Sequence, residues 1–351
     1  MSGSFQFKHF PAELLPQFIQ GLPKVDLHCH LIGAIPEQLI AQLAEKHSVP
    51  LPCSIEALFE FSEFDRFIQA LRLAATVLRA EEDFAEVGYQ VLKQAHQKAG
   101  VVHLELMFNP QYHLEAGVSY REMVDGLISG LERAAAELGV SYRLIAALDR
   151  IIARDQAEGI LSEIIANPRQ QVAGIGLDGP EGKGPPQLFA WFYQQAKAAG
   201  LRCTAHVCED NQSLIDAPAK NYEVCKELLA CDRFDHGYNL LHDSVLLNQA
   251  VLNQDVFNVC SVTSVVKNRA RRLAAIKAMY EQGLKLTINT DDPAMFKTDM
   301  CHSLAILCDE LAWGPTEVVA LTRNAIDASW ASSERKSALH DLLGQYLKRY
   351  T

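Results

Sequence analysis

Eight short apolar runs, separated by amphipathic segments, constrain the fold of this 351-residue chain most strongly. The runs lie at 24–30, 101–108, 142–149, 172–178, 202–207, 233–236, 256–262 and 284–290. Segments between them, such as 120–138 and 186–199, carry apolar side chains at helical spacing. Strict alternation of strand and helix implies parallel strands joined by right-handed crossovers, and eight such strands close a barrel. The sequence therefore predicts an α/β fold, a (β/α)8 TIM barrel.

The longest segment between two of these runs, residues 31–100, follows the first run. It has helical patterns and a series of large apolar side chains: Phe59, Phe61, Phe64, Phe67 and Leu71. A connection at this place would lie over the mouth of the barrel. We expect a helical insertion between the first and second strands, whose aromatic residues either pack the inserted helices together or form an apolar lid over a flat ligand. No Ser/Gly linker or charge block interrupts the chain, so residues 1–351 are expected to form a single barrel domain.

Composition excludes several classes of function. The formal net charge of −11 argues against nucleic acid as the partner, because phosphates select basic surfaces. There is no apolar run long enough to span a membrane and no secretory leader behind Met1. The nine cysteines are scattered, which is typical of a reducing cytoplasm. The aromatic residues Phe5, Phe7 and Phe10 are expected to pack on the outside of the barrel. The sequence leaves the oligomeric state open.

Polar residues of metal-binding or acid–base type follow four of the apolar runs. They are His28 and His30, His206 and Glu209, His236, and the pair Asp291 and Asp292. The carboxyl ends of different strands form the active site of a TIM barrel. Three imidazoles and one carboxylate suit a zinc-like ion with an open position for water. Each residue alone has an ordinary explanation, such as a buried histidine or a helix N-cap, but four strand ends together predict a site.

The segments around these residues resemble those of one family. Lys24–Ile35 resembles the opening motif of the adenosine deaminase family, within the metal-dependent amidohydrolase superfamily. Thr204–Glu209 resembles its His-Ala-Gly-Glu segment, Asp235–Tyr238 its His-Gly-Tyr segment, and Thr287–Pro293 its last-strand motif. Leu177–Glu181 lies where the family has a glycine-containing loop. The resemblance extends over nearly the whole chain.

The resemblance implies one Zn²⁺ per chain, with the ligands His28, His30, His206 and Asp291. It also implies hydrolytic deamination at C6 of a 6-aminopurine, with release of ammonia and the 6-oxopurine. Glu209 is implied as the acid that protonates ring N1, because an aromatic C6 is a poor electrophile until N1 is protonated. His236, together with Asp291, is implied to hold the attacking water.

Four residues are implied to contact the substrate. Asp292, a member of the catalytic set, would contact purine N7, and the backbone N–H of Gly179 would contact N3. His30 and Ile32 would border the bound purine. Members that act on adenosine usually have an acidic residue at the position of Ile32, where it contacts the 5′-hydroxyl. An isoleucine offers no hydrogen bond to that hydroxyl.

Two other segments depart from the family pattern. Cys208 replaces a glycine and is expected to narrow the space beside Glu209. The basic segment 267–272 follows the seventh run and either binds an anionic group of the ligand or, as is more usual, forms a solvated helix face.

The sequence favours a deaminase whose first candidate substrate is adenosine. Adenine or an N6-substituted adenine is the alternative, because Ile32 indicates a ligand with an apolar tail or none. A different mononuclear amidohydrolase is a further alternative. The fourth run ends without the lysine that bridges two metals in other relatives, which favours one ion. A non-catalytic binding protein is disfavoured because every implied ligand is present.

Overall fold

The computed structural model describes residues 7, 10–61, 63–114, 116–264 and 266–350. Nine strand segments run in parallel: β1 Lys24–His30, β2 Val101–Phe108, β3 Ser141–Asp149, β4 Val172–Asp178, β5 Arg202–Cys203, β6 His206–Val207, β7 Phe234–His236, β8 Val256–Cys260 and β9 Lys285–Asn289. They pair in chain order, β1 to β5 in one group and β6 to β9 in the other.

The two groups join into one closed barrel. β5 and β6 are halves of the predicted strand 202–207, since the Thr204 N–H donates to Ile175 O and the Asp235 N–H donates to Ala205 O. At the opposite seam, Cys29 of β1 pairs with Asp291 just after β9, and the His30 N–H donates to Asp291 O at 2.7 Å. The predicted (β/α)8 barrel is confirmed.

Helices alternate with the strands and cover the barrel. They are α1 Leu15–Gly21, α2 Leu31–Ala34, α3 Glu37–Lys46, α4 Ile55–Leu58, α5 Phe64–Ala75, α6 Glu81–Ala99, α7 Gln111–Leu114, α8 Tyr120–Leu138, α9 Arg154–Ala166, α10 Ala190–Ala198, α11 Lys220–Glu223, α12 Ser244–Leu252, α13 Arg269–Glu281, α14 Met300–Leu311, α15 Pro315–Ala328 and α16 Ser333–Leu347. None of the helices in the described part of the chain combines the length and apolarity needed to cross a membrane.

The segment between β1 and β2 folds into helices α2 to α6, as predicted. The side chain of Asp83 fixes the start of α6, because it accepts hydrogen bonds from the backbone N–H of Arg79 and of Ala80, both at 2.9 Å. Helix α6 packs closely on α8 at Gly130, where a Cβ atom would lie only 1.8 Å from Ala85 O. The close approach of the two helices therefore requires a glycine at this position.

A buried ion pair lies at the amino-terminal end of the barrel, which we call the floor. Glu105 of β2 and Arg233 before β7 are joined by a 2.6 Å contact between Oε2 and Nη2, and both side chains are inaccessible to solvent. The Arg233 guanidinium stacks on Trp330 at 4.0 Å. Trp330 packs in turn against the inward-facing side chains of Met107 and Ile145. The floor is thus closed by an ion pair and by the tryptophan that stacks on it.

The start of the described chain packs against its end on the outside of the barrel. The rings of Phe7 and Phe10 lie 5.8 and 5.3 Å from that of Phe18 in α1, and Phe10 also contacts Tyr350. This arrangement is the one predicted for Phe7 and Phe10, whereas Phe5 lies outside the described residues.

Candidate active site

Five side chains converge at the carboxyl ends of the strands, the end that we call the mouth. Candidate ligand atoms of His28, His206, His236 and Asp291 all lie within 4.8 Å of one another. His30 joins them, because its Nε2 lies 3.2 Å from His206 Nε2 and 3.4 Å from Asp291 Oδ1. We call these five residues the metal cluster. All four predicted ligands are therefore brought together, and His236 lies among them.

Contacts behind the histidines determine which ring nitrogen faces the cluster. His28 Nδ1 lies 3.1 Å from Asp235 Oδ1, and His206 Nδ1–H donates to Leu177 O at 3.1 Å. Because Nδ1 carries the proton, Nε2 of each ring is left as a lone-pair donor. Asp235 is itself fixed by Asn258 at 2.8 Å and by Thr204 at 2.7 Å. Such outer contacts are typical of histidines that bind a metal.

The protonation states of the cluster also suit a cation. Burial lowers the pKa of His30 to about 4, with a further contribution from His28. Burial likewise lowers the pKa values of His206 and His236 well below the usual range. These three rings are thus neutral ligands at neutral pH. For Asp291, burial opposes ionisation, but the adjacent His28 holds the pKa of this carboxyl well below its usual range. For His28, burial opposes protonation, but the carboxylates of Asp235 and Asp291 raise its pKa well above the usual range, so this ring would lose a proton on binding a cation. With that proton lost, neutral imidazoles beside an ionised carboxylate form the donor set of a mononuclear zinc site.

Three residues at the mouth adopt the left-handed backbone region that favours glycine. They are Cys208, His236 and Asp291, with φ values of 54°, 72° and 64°. Such conformations are uncommon for residues with a side chain and occur most often at functional sites. Here they turn the chain sharply at the ends of β6, β7 and β9.

Glu209 lies at the edge of the metal cluster. Its Oε1 is 3.9 Å from His236 Nε2 and accepts a hydrogen bond from Asn211 at 2.7 Å. The backbone N–H of Glu209 donates to the buried carboxyl of Glu181 at 3.0 Å, which fixes the chain at this point. Burial raises the pKa of Glu209 to about 8, although the Arg272 guanidinium lowers it. A carboxyl with such a pKa carries a proton at neutral pH and can donate it.

The basic segment differs from the prediction of a solvated helix face. Arg272, in the first turn of α13, has a side chain that is only 1% exposed. It forms an ion pair with Asp210 and lies 3.3 Å from Glu209 Oε1. The interpretation fails at this position because a buried acidic partner from a different strand end compensates the charge. The side chain of Arg271, in contrast, is 60% exposed.

The expectation for Cys208 is wrong. Its side chain does not narrow the space beside Glu209, because its Sγ lies 3.3 Å from Pro218 O and 3.6 Å from Ala219 O. These two carbonyls belong to the segment between β6 and α11, against which the Cys208 side chain packs.

A cavity of about 390 Å³ opens above the metal cluster. Ile32 and Gly179 line it together with Glu209, Asp291 and Asp292. Its outer side is covered by five apolar residues that we call the lid: Phe64, Phe67, Ile68, Leu71 and Phe296. The aromatic residues serve both predicted purposes, because Phe61, Phe67 and Phe296 also pack on one another with centroid distances of 5.1 to 6.5 Å.

Asp292 lies against the turn that follows β1. A Cβ atom on Gly33 would be 1.9 Å from Asp292 Oδ1, so this position requires glycine. Oδ1 is buried without a hydrogen-bond partner among the described residues. Burial, together with the neighbouring Asp291, raises the pKa of Asp292 well above its usual range. Asp292 also lines the cavity, so the residue borders the space above the cluster while Oδ1 itself is packed against Gly33.

The side of the cavity beside Gly179 is acidic, and we call it the far wall. Gly179 has a φ of 82°, and a Cβ atom there would lie 2.6 Å from Asp149 Oδ1. Asp149 Oδ2 accepts from Tyr112 at 3.0 Å and pairs with Arg72 of α5 at 3.2 Å. Asp178 also lines the far wall, and burial and the neighbouring Asp149 raise its pKa to about 8.

Sequence reasoning did not assign roles to several of these residues. Arg272 and Arg72 lie away from the strand-end motifs that identified the cluster, whereas Asp210 directly follows Glu209 and Asp149 ends the third apolar run. Asp235 was part of a motif, and its position one residue before His236 on a strand was a usable signal. The contacts of Asp235 with His28 and Thr204 place it inside the barrel below the ligands, and the positive φ of His236 brings the next side chain into the site as well.

Comparison with known proteins agrees with the site. The family described as Adenosine deaminase matches residues 23–346. An adenine deaminase from Rhodospirillum rubrum is 36% identical over 331 residues, which make up 93% of this chain and 97% of that protein. The crystal structure of adenine deaminase from Arthrobacter aurescens has a TM-score of 0.86 at 31% identity and covers 93% of this chain and 99% of its own. An amidohydrolase from Burkholderia ambifaria, solved with bound Zn, has a TM-score of 0.88 at 28% identity, with coverages of 99% and 96%.

The barrel and the cluster at its mouth define a hydrolase of the amidohydrolase type, which acts on a C–N bond. The chain belongs to the adenosine deaminase family, since the family match covers nearly its whole length.

Proposed function

We propose that this protein converts free adenine and water into hypoxanthine and ammonia, with one Zn²⁺ held by His28, His30, His206 and Asp291. The observation that carries the proposal is the position of the Glu209 carboxyl, 3.9 Å from His236 and on the wall of a cavity above the cluster. An acid, a set of metal ligands and a cavity of small-molecule size thus share one place.

Different side chains of the site would donate a proton to the substrate and hold the attacking water. Zn²⁺ in such a site acidifies water, so that hydroxide is available near neutral pH. Glu209, protonated because it is buried, would donate to ring N1 and make C6 electrophilic. His236 is neutral and would accept a hydrogen bond from the attacking water. Asp292, which lines the cavity, would contact N7. The oxygen of that water would bond to C6, its remaining proton would pass to the amino group, and ammonia would leave as the C6=O bond forms.

The far wall favours a free base over a nucleoside. With N1 at Glu209 and N7 at Asp292, the N3 and N9 edge of a purine would lie over Gly179. Asp149 Oδ1 lies directly against this glycine. Free adenine has an N9–H that can donate to a carboxylate, whereas adenosine has a sugar at that nitrogen. A site built to bond an N–H discriminates strongly against a ligand that lacks it.

Two further observations support adenine over adenosine, which the sequence placed first. The relatives from Rhodospirillum rubrum and Arthrobacter aurescens are adenine deaminases. Ile32, only 3% exposed, presents an aliphatic side chain to the cavity. It offers a ribose hydroxyl no hydrogen bond, so a buried sugar would lose its bonds to water.

Ammonia release by the zinc-loaded protein tests the proposal directly. The panel comprises adenine, 9-methyladenine, N6-methyladenine, adenosine and AMP. We expect the highest kcat/KM for adenine, and a fall of at least about 10²-fold for 9-methyladenine, because the N9–H donor is removed. Equal rates for adenine and 9-methyladenine would contradict the assignment of the far wall. Adenosine as the best substrate would contradict the free-base proposal. No ammonia from the four 6-amino compounds, and no methylamine from N6-methyladenine, would contradict aminopurine deamination.

A further inference from the structure

Arg272 lines the ligand cavity and contacts the proposed acid directly. Its Nη2 lies 3.3 Å from Glu209 Oε1 and 2.5 Å from Asp210 Oδ1, and its Nε donates to the same Asp210 oxygen at 2.9 Å. Nη1 donates to Val262 O at 3.3 Å. The face of the guanidinium covers the ring of Tyr238 at 4.7 Å. Contacts on its edges and on one face hold this group in a single orientation.

The contacts of Glu209 are uneven between its two oxygens. Oε1 accepts from Asn211 at 2.7 Å and from Arg272 at 3.3 Å. Oε2 takes part in no hydrogen bond to the described residues that the structure records. One oxygen is therefore fixed and the other is free to face the cavity. A proton donor has to be held in this way, because a carboxyl that rotates freely spends little time aligned with its acceptor.

Charge compensation makes the arrangement compatible with an acid. A lone guanidinium beside Glu209 would favour the ionised carboxylate. Asp210 supplies the negative charge that Arg272 requires, and its side chain is only 5% exposed. Arg272 can thus orient Glu209 through a hydrogen bond without an uncompensated positive charge.

We infer that Arg272 is a positioning residue that holds the Glu209 carboxyl so that its free oxygen faces the ring nitrogen to be protonated. The inference rests on the proposed function for the role of Glu209. Arg272 lies at the start of α13 and Glu209 follows β6, so the contact also fixes two connections at the mouth relative to each other.

The variant Arg272→Met removes the guanidinium and its N–H donors and retains an unbranched side chain. We expect kcat for adenine to fall by about 10²-fold through misalignment of the acid, with KM changed by less than about threefold and the zinc content unchanged. Arg272→Lys retains the charge and one donor, and should recover part of the loss. Arg271→Met is the matched control, because Arg271 is adjacent and makes no recorded contact with Glu209, although it donates to the Asp210 carbonyl and lies 3.8 Å from the Asp210 carboxylate. It should retain the wild-type kcat.

A double-mutant cycle separates orientation of Glu209 from general support of the fold. If Arg272 acts through Glu209, adding Arg272→Met to Glu209→Gln should cause no further loss of kcat. The inference would be overturned if the kcat losses of the two single variants multiplied in the double variant. It would also be overturned if Arg271→Met lowered kcat as much as Arg272→Met. The variants Arg272→Met and Glu209→Gln and their combination can also be compared by their affinity for hypoxanthine, measured by calorimetry. This comparison requires no turnover, because the N1–H of hypoxanthine can donate to Glu209.

These measurements distinguish the inference from the proposed function. A wild-type protein that turns over a different aminopurine would contradict the adenine proposal, and the cycle would be measured on that substrate. If Arg272→Met does not fold, Asn211→Ala removes the other hydrogen bond to Oε1. Asn211→Ala should also lower kcat, and it should cause no further loss when it is combined with Glu209→Gln. An unchanged kcat in the single variant Asn211→Ala would overturn the inference.

Discussion

At the floor of the barrel Glu105 and Arg233 form a buried ion pair, whereas at the mouth Glu209, Asp291 and Asp292 share a buried space with four histidines. Burial favours the neutral form at Glu105 too, but Arg233 overcomes it and the pKa of Glu105 falls to about 2. Burial raises the pKa of Glu209 to about 8. The same residue type is thus ionised at one end and protonated at the other.

The difference lies in where each polar group finds its partner. The floor obtains its partners from the chain itself: Arg233, His103 and the backbone N–H of Trp330 all contact Glu105. The mouth leaves atoms such as Asp292 Oδ1 without a partner among the described residues. Polar groups that are satisfied internally stabilise a fold, and those that are left unsatisfied are available to ligands.

Substitution of the mouth carboxyl should have the largest effect on rate. Glu209→Gln removes the proton donor and should lower kcat for adenine by about 10² to 10⁴-fold. Because the glutamate has a burial cost that the amide avoids, the denaturant midpoint should be unchanged or higher. Steady-state kinetics, zinc content and urea unfolding of the same preparation measure both effects. A lower midpoint would indicate that the mouth, like the floor, stabilises the fold.

The identical substitution at the floor should have the opposite effect. Glu105→Gln leaves Arg233 buried without its counter-charge and should lower the free energy of unfolding by about 3–5 kcal/mol. The kcat of the folded fraction should be unchanged. Because folding lowers the pKa of Glu105, the ionised pair stabilises the protein fully above pH 4.5, and this contribution is lost as the pH falls toward 2. The difference in unfolding free energy between wild type and variant should narrow over that range, and a constant difference would contradict the ion-pair explanation.

Removal of the metal should lower the stability of the protein by an amount that does not depend on the floor. With free Zn²⁺ at about 10³ times its dissociation constant, binding stabilises the folded state by about 4 kcal/mol. A chelator should therefore lower the thermal midpoint and abolish turnover, and added Zn²⁺ should restore both. The Glu105→Gln variant should show the same shift as the wild type, since distant sites contribute additively. Unequal shifts would show that the floor and the mouth are coupled.

The smallest expected effect concerns the substrate rather than the chemistry. Ile32→Asp places a carboxylate where relatives that act on adenosine have one, and should raise kcat/KM for adenosine relative to adenine by about tenfold. Ile32→Val is the control for loss of volume and should leave the ratio unchanged. The ratio is measured by competition between the two substrates. If it stays the same in Ile32→Asp, the isoleucine does not determine the preference for a free base.

The features that depend on local sequence patterns, such as alternating strands and helices and the motifs at strand ends, could be predicted from the sequence. The barrel, the insertion and all five cluster residues were identified from strand-end patterns and the family resemblance, because each signal lies within a few consecutive residues. Arg272 and Asp149 were not assigned, because their roles depend on contacts with Glu209 and Gly179 across the cavity. Nothing in the run 267–272 indicates that one arginine is buried and its neighbour is exposed.

The floor was not predicted for the same reason. Glu105 and Trp330 are separated by 225 positions, and neither lies in a motif. A charged residue within an apolar strand is compatible with a solvent-facing side chain, and only the closed barrel shows that it points inward. Pairings between distant positions determine the remaining features, and a single sequence does not contain them.

The seam between β1 and β9 has a consequence for how the protein is made. His28 and Asp291 contact each other across 263 positions of the chain, and their segments are paired through the backbone. A ribosome delivers the amino terminus first, so the nascent chain carries His28 and His30 long before their carboxylate partner is synthesised. Long-range closure of this kind occurs late in folding. The proposed ion site is therefore completed only after Asp291 has been synthesised and the last strand has joined the first.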